Sequence, residues 1–278
     1  MKYMKRLTLL VFLCVIFVLP VLSQADAVSS LNSSEKASEK IDDEEKRQKY
    51  EAQLNFSVEH LTKKLGTWRT ASLYFQRKSE KNQIIWGEYR LSKRNSIRDE
   101  EIAAGIYQPL KNKWAFMVEG SYSPTHKYLG KYSASGEVEK GLKKGYVLHF
   151  GGKFKKYDAV KANTGYIIAE KYWGNNRGAY TLYVTKLSNA GTAPIHRFQY
   201  NRYYGESVNS FGAAFSIGRE HENLGPGLGI LRSNTWSVSL SAKHWLTKNV
   251  GLNVDGTIHR QGDFYYRRGF TFGLRYRF

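Results

Sequence analysis

Residues 53–278 alternate between apolar and polar side chains with a period of two, and this alternation restricts the possible folds more than any other feature of the chain. In the last stretch, FTFGLRYRF, aromatic and aliphatic residues occupy every second position, with threonine, glycine and arginine between them. Successive side chains of a β-strand point to opposite faces, so this stretch is predicted to be a two-faced strand. A soluble β-sandwich could contain one such strand, so the fold depends on how often the pattern recurs.

The pattern recurs about fourteen times, or roughly once every 16 residues including the turn. Clear examples begin at Leu54, Ile85, Trp114, Phe211 and Val250. In lipid every backbone polar group has to be paired, so strands that cross a membrane must close into a barrel. We therefore predict an all-β transmembrane antiparallel β-barrel of about fourteen strands, with twelve or sixteen as alternatives. A soluble β-sandwich is disfavoured because its inner face would carry far fewer charges than the polar faces of these strands do.

The predicted connections differ between the two ends of the barrel. Four on the side of the chain termini are short, at residues 111–113, 141–145, 174–177 and 247–249. On the opposite side a longer loop is predicted from Glu220 to Thr235, as is typical of outer-membrane barrels. Tryptophans near the strand ends are expected to form aromatic girdles at the membrane interfaces; they are Trp68, Trp114, Trp173, Trp236 and Trp245.

The N-terminal residues 1–25 have the features of a secretory signal peptide: a basic start, an apolar run and small residues after it. Cleavage is predicted after Ala25, with Ala27 as the alternative site and an uncleaved membrane anchor as the alternative interpretation. Residues 26–52 are rich in Glu, Lys and Ser and are expected to form a charged periplasmic linker or a short helix. Residues 53–278 then form the barrel.

The only cysteine, Cys14, lies inside the predicted signal, so the mature chain can form neither a disulfide nor a thiol nucleophile. The formal net charge is +19. Because the chain is expected to be exported, this charge is not attributed to nucleic-acid binding. Excess Lys and Arg on turns and loops would instead meet anionic lipid headgroups.

The polar faces of the predicted strands carry ionisable side chains that would line the lumen. The candidates are Glu59, Glu88, Arg90, Glu119, Glu137, Glu139, His149, Lys153, Arg197, Asp255, His259, Arg275 and Arg277. Acids concentrate in the N-terminal half and bases towards the C-terminus, and closure would place Glu59 opposite Arg275 or Arg277. The charges either brace a filled lumen as paired networks or line a water-filled channel that favours anions such as acidic saccharides.

Three stretches give the chain a resemblance to the YaiO family of bacterial outer-membrane barrels: WGEYRLSKR (86–94), GYVLHFGGKFKKY (145–157) and GFTFGLRYRF (269–278). The resemblance extends over residues 53–278 and implies the same barrel fold. The family is similar to barrels that accompany glycan synthesis and export. The resemblance therefore also implies a role connected with saccharides. Some members carry helical repeats ahead of the barrel, whereas here the charged segment 29–51 stands in that place.

The sequence therefore predicts an outer-membrane β-barrel of a Gram-negative bacterium that acts as a narrow channel or as a component of saccharide export or surface glycan. A closed structural or surface-binding barrel is one alternative, and an outer-membrane lipid hydrolase is another. No enzymatic activity is expected, because Asp255 and His259 lie four residues apart on one strand, about 13 Å, and cannot pair. No cofactor or metal site is expected, since the histidines show no ligand spacing.

The expected partners follow from the location. They are outer-membrane lipid including lipopolysaccharide, the barrel assembly machinery, and an anionic or saccharide permeant; the barrel itself is expected to be a monomer. Leu274, Tyr276 and Phe278 match the C-terminal aromatic pattern by which assembly machinery recognises outer-membrane proteins.

Overall fold

The computed structural model describes residues 49–79, 81–158, 160–187, 191–205, 209–223 and 230–278. They form fourteen strands: β1 Tyr50–Leu61, β2 Gly66–Lys78, β3 Ile84–Arg94, β4 Ile97–Pro109, β5 Trp114–Tyr122, β6 Tyr132–Gly141, β7 Tyr146–Lys156, β8 Lys161–Trp173, β9 Asn176–Leu187, β10 Gly191–Tyr204, β11 Asn209–Asn223, β12 Ile230–Trp245, β13 Val250–Gln261 and β14 Tyr265–Arg277. Lys111–Lys113 and Lys143–Gly145 are single 3-10 turns. Within these residues no helix is long and apolar enough to span a membrane.

All fourteen strands belong to one closed antiparallel barrel in which each strand pairs with its neighbours in the chain. Closure occurs between β1 and β14, with Leu54 opposite Leu274 and Phe56 opposite Phe272. The predicted fold class and strand number are therefore confirmed. β1 starts at Tyr50, slightly before the predicted boundary at Gln53, and the predicted signal peptide with its Ala25 cleavage site lies outside the described residues.

The outer surface of the barrel is apolar where the alternation predicts it. Large hydrophobic side chains remain 40–55% exposed there, including Leu54, Leu73, Ile102 and Phe150. A continuous exposed apolar band of this kind is unfavourable in water and marks contact with lipid. The strands are 9 to 16 residues long, which is enough for a tilted strand to cross the hydrocarbon layer.

We call the end of the barrel where β1 begins and β14 ends the near rim, and the opposite end the far rim. The predicted short connections all lie at the near rim, where Asn112 and Lys144 adopt positive φ inside the two 3-10 turns. Asparagine tolerates this left-handed conformation well, which suits a tight turn. The longest connection within the described residues is at the far rim and covers residues 123–131.

One prediction about the rims is wrong, and a second is only partly correct. Most of the predicted loop from Glu220 to Thr235 is strand, since Glu220 pairs with Ser233 and Gly218 with Thr235. The alternation continues through Glu220 and through Ser233 and extends the ladder there. The tryptophan girdle is also only partly correct: Trp114 and Trp173 are exposed on the outer surface, whereas Trp68 and Trp245 are buried inside the barrel.

Candidate functional site: the barrel lumen

The structure places all thirteen predicted lumen residues on the inward faces of their strands, on the side opposite the exposed hydrophobic residues. Several are almost inaccessible, including His149 at 1% and Arg197 at 3% exposure. Burial of so many ionisable groups is costly unless each one is paired or hydrogen-bonded. Their partners therefore determine the character of the lumen.

One group of paired charges lies on β3, β4, β5 and β7. Arg90 donates to Glu88 at 2.6 Å and to Glu101 on the neighbouring strand at 2.7 Å. Lys153 Nζ lies 3.8 Å from Glu119 Oε1. Glu101 was not predicted, although it alternates with Ile102 and therefore belongs to the inward face. The guanidinium of Arg90 thus bridges two carboxylates, one on each terminal nitrogen, through charge-assisted hydrogen bonds.

A second group is built on β6 to β9 around His149. Its Nδ1 lies 2.8 Å from Glu137 Oε1, and its Nε2 lies 3.6 Å from Glu170 Oε1. Glu170 also accepts hydrogen bonds from Arg177 and from Tyr172, the latter at 2.7 Å. Both members of the Glu170–Arg177 pair are about 2% exposed, so this ion pair is shielded from water.

Neither Glu170 nor Arg177 was predicted from the sequence. The alternation of β8 is ambiguous, because Glu170 and Lys171 place a charge on both faces. The structure resolves the ambiguity: Ile168 and Glu170 point inward, while Lys171 lies at the near rim with its Nζ over the Tyr146 ring at 3.8 Å. Glu139 completes the group by accepting from the Tyr107 hydroxyl at 3.2 Å. We call the inward faces of β3 to β9 the charged wall.

The charges at the closure of the barrel pair differently from the prediction. Glu59 lies opposite Gly269 and contacts Arg267, with 3.5 Å between Glu59 Oε1 and Arg267 Nε. Arg275 instead donates to Glu51 at 2.8 Å. The predicted contact of Glu59 with Arg275 or Arg277 is therefore wrong, because the strands pair with Glu51 opposite Arg277 and place Glu59 eight residues further along.

The inward faces of β11 to β14 carry many serine and threonine side chains among charged ones such as Lys243, Asp255 and Arg275, and we call them the hydroxyl wall. Its serine and threonine members are Ser210, Ser216, Ser233, Thr235, Ser237, Ser239, Ser241, Thr257 and Thr271. Strand pairing places Ser216 beside Ser237 and Ser239 beside Thr257. The hydroxyls of Ser233 and Thr257 are buried without a hydrogen-bond partner among the described residues. Such groups are normally satisfied by ordered water, so this wall is expected to be hydrated.

The far mouth is narrowed by the connection at residues 123–131. The Asp99 carboxylate accepts backbone N–H groups of Lys127, Tyr128 and Leu129 at 2.7–2.9 Å, which holds this connection against the end of β4. Tyr128 is consequently 4% exposed and lies against the guanidinium of Arg94, 4.6 Å from its ring centroid. Burial raises the pKa of the Tyr128 hydroxyl to about 12, so it stays neutral at physiological pH.

Each mouth contains a tryptophan stacked with two arginines. At the far mouth Trp68 lies between Arg94, at 4.0 Å, and Arg267, at 5.3 Å from the ring centroid. At the near mouth Trp245 meets Arg275 at 4.5 Å and Arg277 at 4.1 Å. Cation–π contacts hold the guanidinium groups in fixed positions while leaving them positively charged. These contacts explain why the two tryptophans point inward.

The two residues weighed for hydrolysis do not meet. On β13, Asp255 lies between Ser241 and Thr271 in the strand pairing, whereas His259 Nε2 lies 2.6 Å from Gln261 Oε1 and 3.5 Å from Glu220 Oε2. Within the described part of the chain, no group of three or more His, Cys, Asp or Glu side chains is arranged to hold a metal ion.

A closed antiparallel barrel with an apolar outer band and a polar interior defines a bacterial outer-membrane β-barrel protein. The profile of the YaiO membrane beta barrel domain matches residues 49–223, more than half of the chain, and the chain therefore belongs to this family. The resemblance predicted from the sequence is confirmed. A search of curated proteins gives no match.

Solved structures of similar fold are also outer-membrane barrels. A bacterial polysaccharide outer membrane secretin aligns with a TM-score of 0.52 and 11% identity, over 82% of this chain and 98% of that chain. The outer membrane protein Omp33 of Acinetobacter baumannii aligns with a TM-score of 0.50 and 11% identity, over 83% and 99% of the two chains. At this level of identity the likeness is one of fold.

Proposed function

We propose that the protein is a narrow channel of the Gram-negative outer membrane for hydrophilic solutes, with saccharides as the best-suited class. The observation that carries the proposal is the hydroxyl wall on β11 to β14. Serine and threonine side chains occupy less of the cross-section than the longer paired side chains of the charged wall. Serine and threonine hydroxyls both donate and accept hydrogen bonds, so they can exchange water for the hydroxyls of a passing sugar.

Electrostatics favour an anionic permeant. Arginines lie at both mouths, on Trp68 at one end and on Trp245 at the other. Carboxylates between β3 and β8 are largely committed to Arg90, Arg177, His149 and Lys153. One arginine at each mouth is paired with a carboxylate, Arg267 with Glu59 and Arg275 with Glu51. The arginines outnumber these carboxylates two to one, so a solute meets an excess of positive charge on entry and exit, which raises the local concentration of anions. An acidic oligosaccharide combines this charge with the hydroxyls that the lumen can bind.

The second candidate is a closed structural barrel, and the buried group around His149 favours it. Glu170 and Arg177 are shielded from water and join β8 to β9 inside the lumen. In that case the charged wall braces a filled lumen. The two functions differ in whether the folded protein conducts ions.

The decisive experiment is single-channel recording of the refolded protein in a planar bilayer, with the reversal potential measured under a salt gradient. Stable current steps with anion selectivity are expected. An acidic oligosaccharide should interrupt the current more than a neutral oligosaccharide of equal length, and both more than polyethylene glycol of equal size. Absence of current from a barrel whose folding is verified by heat-dependent gel migration would reject the channel in favour of the closed barrel.

Orientation and assembly complete the proposal. The near rim, with its short turns, faces the periplasm, and the far rim, with the 123–131 connection, faces outward. On β14 and its end, Leu274, Tyr276 and Phe278 point outward, and Phe278 bonds with the backbone of Tyr50 at 2.9–3.0 Å. This exposed aromatic ladder remains our prediction for the element that assembly machinery recognises in a monomeric barrel.

A further inference from the structure

The outer surface of the barrel carries a row of three bases at the far rim. Arg69 on β2 lies directly opposite Lys93 on β3, and Lys93 lies directly opposite Arg98 on β4. All three side chains point outward and are exposed. Like charges at directly opposite positions of a sheet are destabilising. An anion bound outside the barrel would relieve the repulsion among these three bases.

The surroundings of this basic row leave a net positive charge. Glu100 is the acidic group beside it, with Oε1 3.1 Å from Arg98 Nη2 and Oε2 within 3.0 Å of the Tyr89 hydroxyl. Arg98 keeps 61% of its side chain exposed despite this contact. Across β1, Arg268 pairs with His60 and adds a further base on the side of β2. The patch can thus bind a group with more than one negative charge.

The surface below the row indicates what kind of molecule carries that charge. Towards the membrane centre, the second row of outward side chains after the bases consists of Leu73, Tyr89 and Ile102, which pair across β2, β3 and β4 and are exposed. Four residues of strand separate Arg69 from Leu73, about 13 Å. A soluble anion would use the bases alone. A lipid with a phosphorylated headgroup uses both levels, because its phosphates reach the bases while its acyl chains lie on Leu73 and Ile102.

We propose that Arg69, Lys93 and Arg98 form a binding site on the outer surface of the barrel for the phosphorylated headgroup of an outer-leaflet glycolipid of the lipid A type. Guanidinium and ammonium groups bind phosphate oxygens through charge-assisted hydrogen bonds. The site would anchor the barrel at a fixed depth, since the headgroup defines the membrane surface. The proposal is independent of whether the lumen conducts.

The test is native mass spectrometry of the folded full-length barrel in nonionic detergent with bisphosphorylated lipid A as the probe. The variant is R69Q/K93Q/R98Q. The control is K161Q/K186Q/R219Q, which removes three exposed bases of the same rim on β8, β9 and β11, no two of which are opposite each other. We expect the variant to lose about tenfold or more in affinity and the control about twofold or less, in line with the electrostatic attraction of single bases to anionic lipid.

Three further measurements decide the proposal. Monophosphorylated lipid A should bind less tightly to the unchanged protein, and inorganic phosphate at roughly 10 mM should not displace the bisphosphorylated lipid. Equal losses in the variant and the control, or displacement by inorganic phosphate, would overturn a specific lipid site. If the triple variant does not fold, Lys93→Gln alone removes the centre of the row, and unchanged affinity in that variant overturns the proposal as well.

Discussion

The two walls of the lumen show opposite ways of keeping polar groups inside a barrel. β12 carries serine or threonine at five successive inward positions, whereas the inward faces of β6 to β8 carry three glutamates and a histidine. The charged groups are held by short contacts across strands, as between Arg90 and Glu101 or His149 and Glu137. The hydroxyl wall includes buried hydroxyls without such partners among the described residues. Buried atoms without a hydrogen-bond partner among the described residues also occur on the charged wall, as at Glu137 Oε2, so the two walls differ chiefly in their ion pairs.

For the proposed channel, this difference predicts that a solute meets the small hydroxyls more than the paired charges in the middle of the lumen. A buried ion pair needs its partners within a few ångströms and is occupied by them. A small hydroxyl leaves space and exchanges partners readily. Permeation is expected along β11 to β14, while β3 to β9 set stability and shape.

The largest expected effect comes from breaking the charged wall at its most buried pair. Arg177→Met removes the guanidinium from Glu170 at about 2% exposure and leaves it with Tyr172 and His149 as neighbours, and we expect the free energy of unfolding to fall by about 3 kcal/mol. Urea titration of the barrel in lipid vesicles measures this loss. The double variant E170Q/R177M should recover part of it, because the stranded carboxylate is gone. Equal stability of both variants would contradict the role of the pair.

The fold could be predicted from the sequence because lipid imposes an alternation that is clear in most strands. The candidate site could be predicted only where that alternation is clean. In β8 the adjacent Glu170 and Lys171 conceal the face, so the most buried ion pair was missed. Trp68 and Trp245 were placed in the membrane interface because tryptophan is common there, but their positions fall in phase with the inward residues of β2 and β12. The ion-pair partner of Arg275 could not be predicted, because the alternation of side chains does not determine the register in which β1 and β14 pair.

The second-largest expected effect concerns the connection at residues 123–131, which lies between β5 and β6 at the far mouth. Asp99→Asn removes one acceptor and the negative charge that hold the backbone of Lys127, Tyr128 and Leu129. We expect cleavage by trypsin in residues 123–131 to accelerate about tenfold or more, since charge-assisted hydrogen bonds are lost. Asp158→Asn is the control, because its contact with His126 is exposed and worth little. Similar rates in both variants would show that Asp99 does not hold the connection.

A narrower change tests whether solutes follow the hydroxyl wall. Ser241→Phe places a ring inside the barrel on β12, and we expect single-channel conductance to fall by roughly half if ions pass beside it. Ala242→Phe adds the same ring to the exposed outer face of the same strand and should leave conductance unchanged. An unchanged conductance in the Ser241 variant would place the path elsewhere.

The smallest expected effect is on ion selectivity at the near mouth. Arg277 points into the lumen, is stacked 4.1 Å from the Trp245 ring centroid, and donates to the Lys248 carbonyl oxygen. Arg277→Gln removes one fixed charge, while Arg275 and Lys243 remain nearby on the inward face. The reversal potential under a salt gradient should therefore move towards zero without changing sign, because anion preference falls in proportion to the charge that the ions pass. Arg77→Gln removes an equal charge from the outer surface of the same rim and should have no such effect. If both variants shift the potential equally, selectivity arises from the overall charge of the protein and not from the arginines on Trp245.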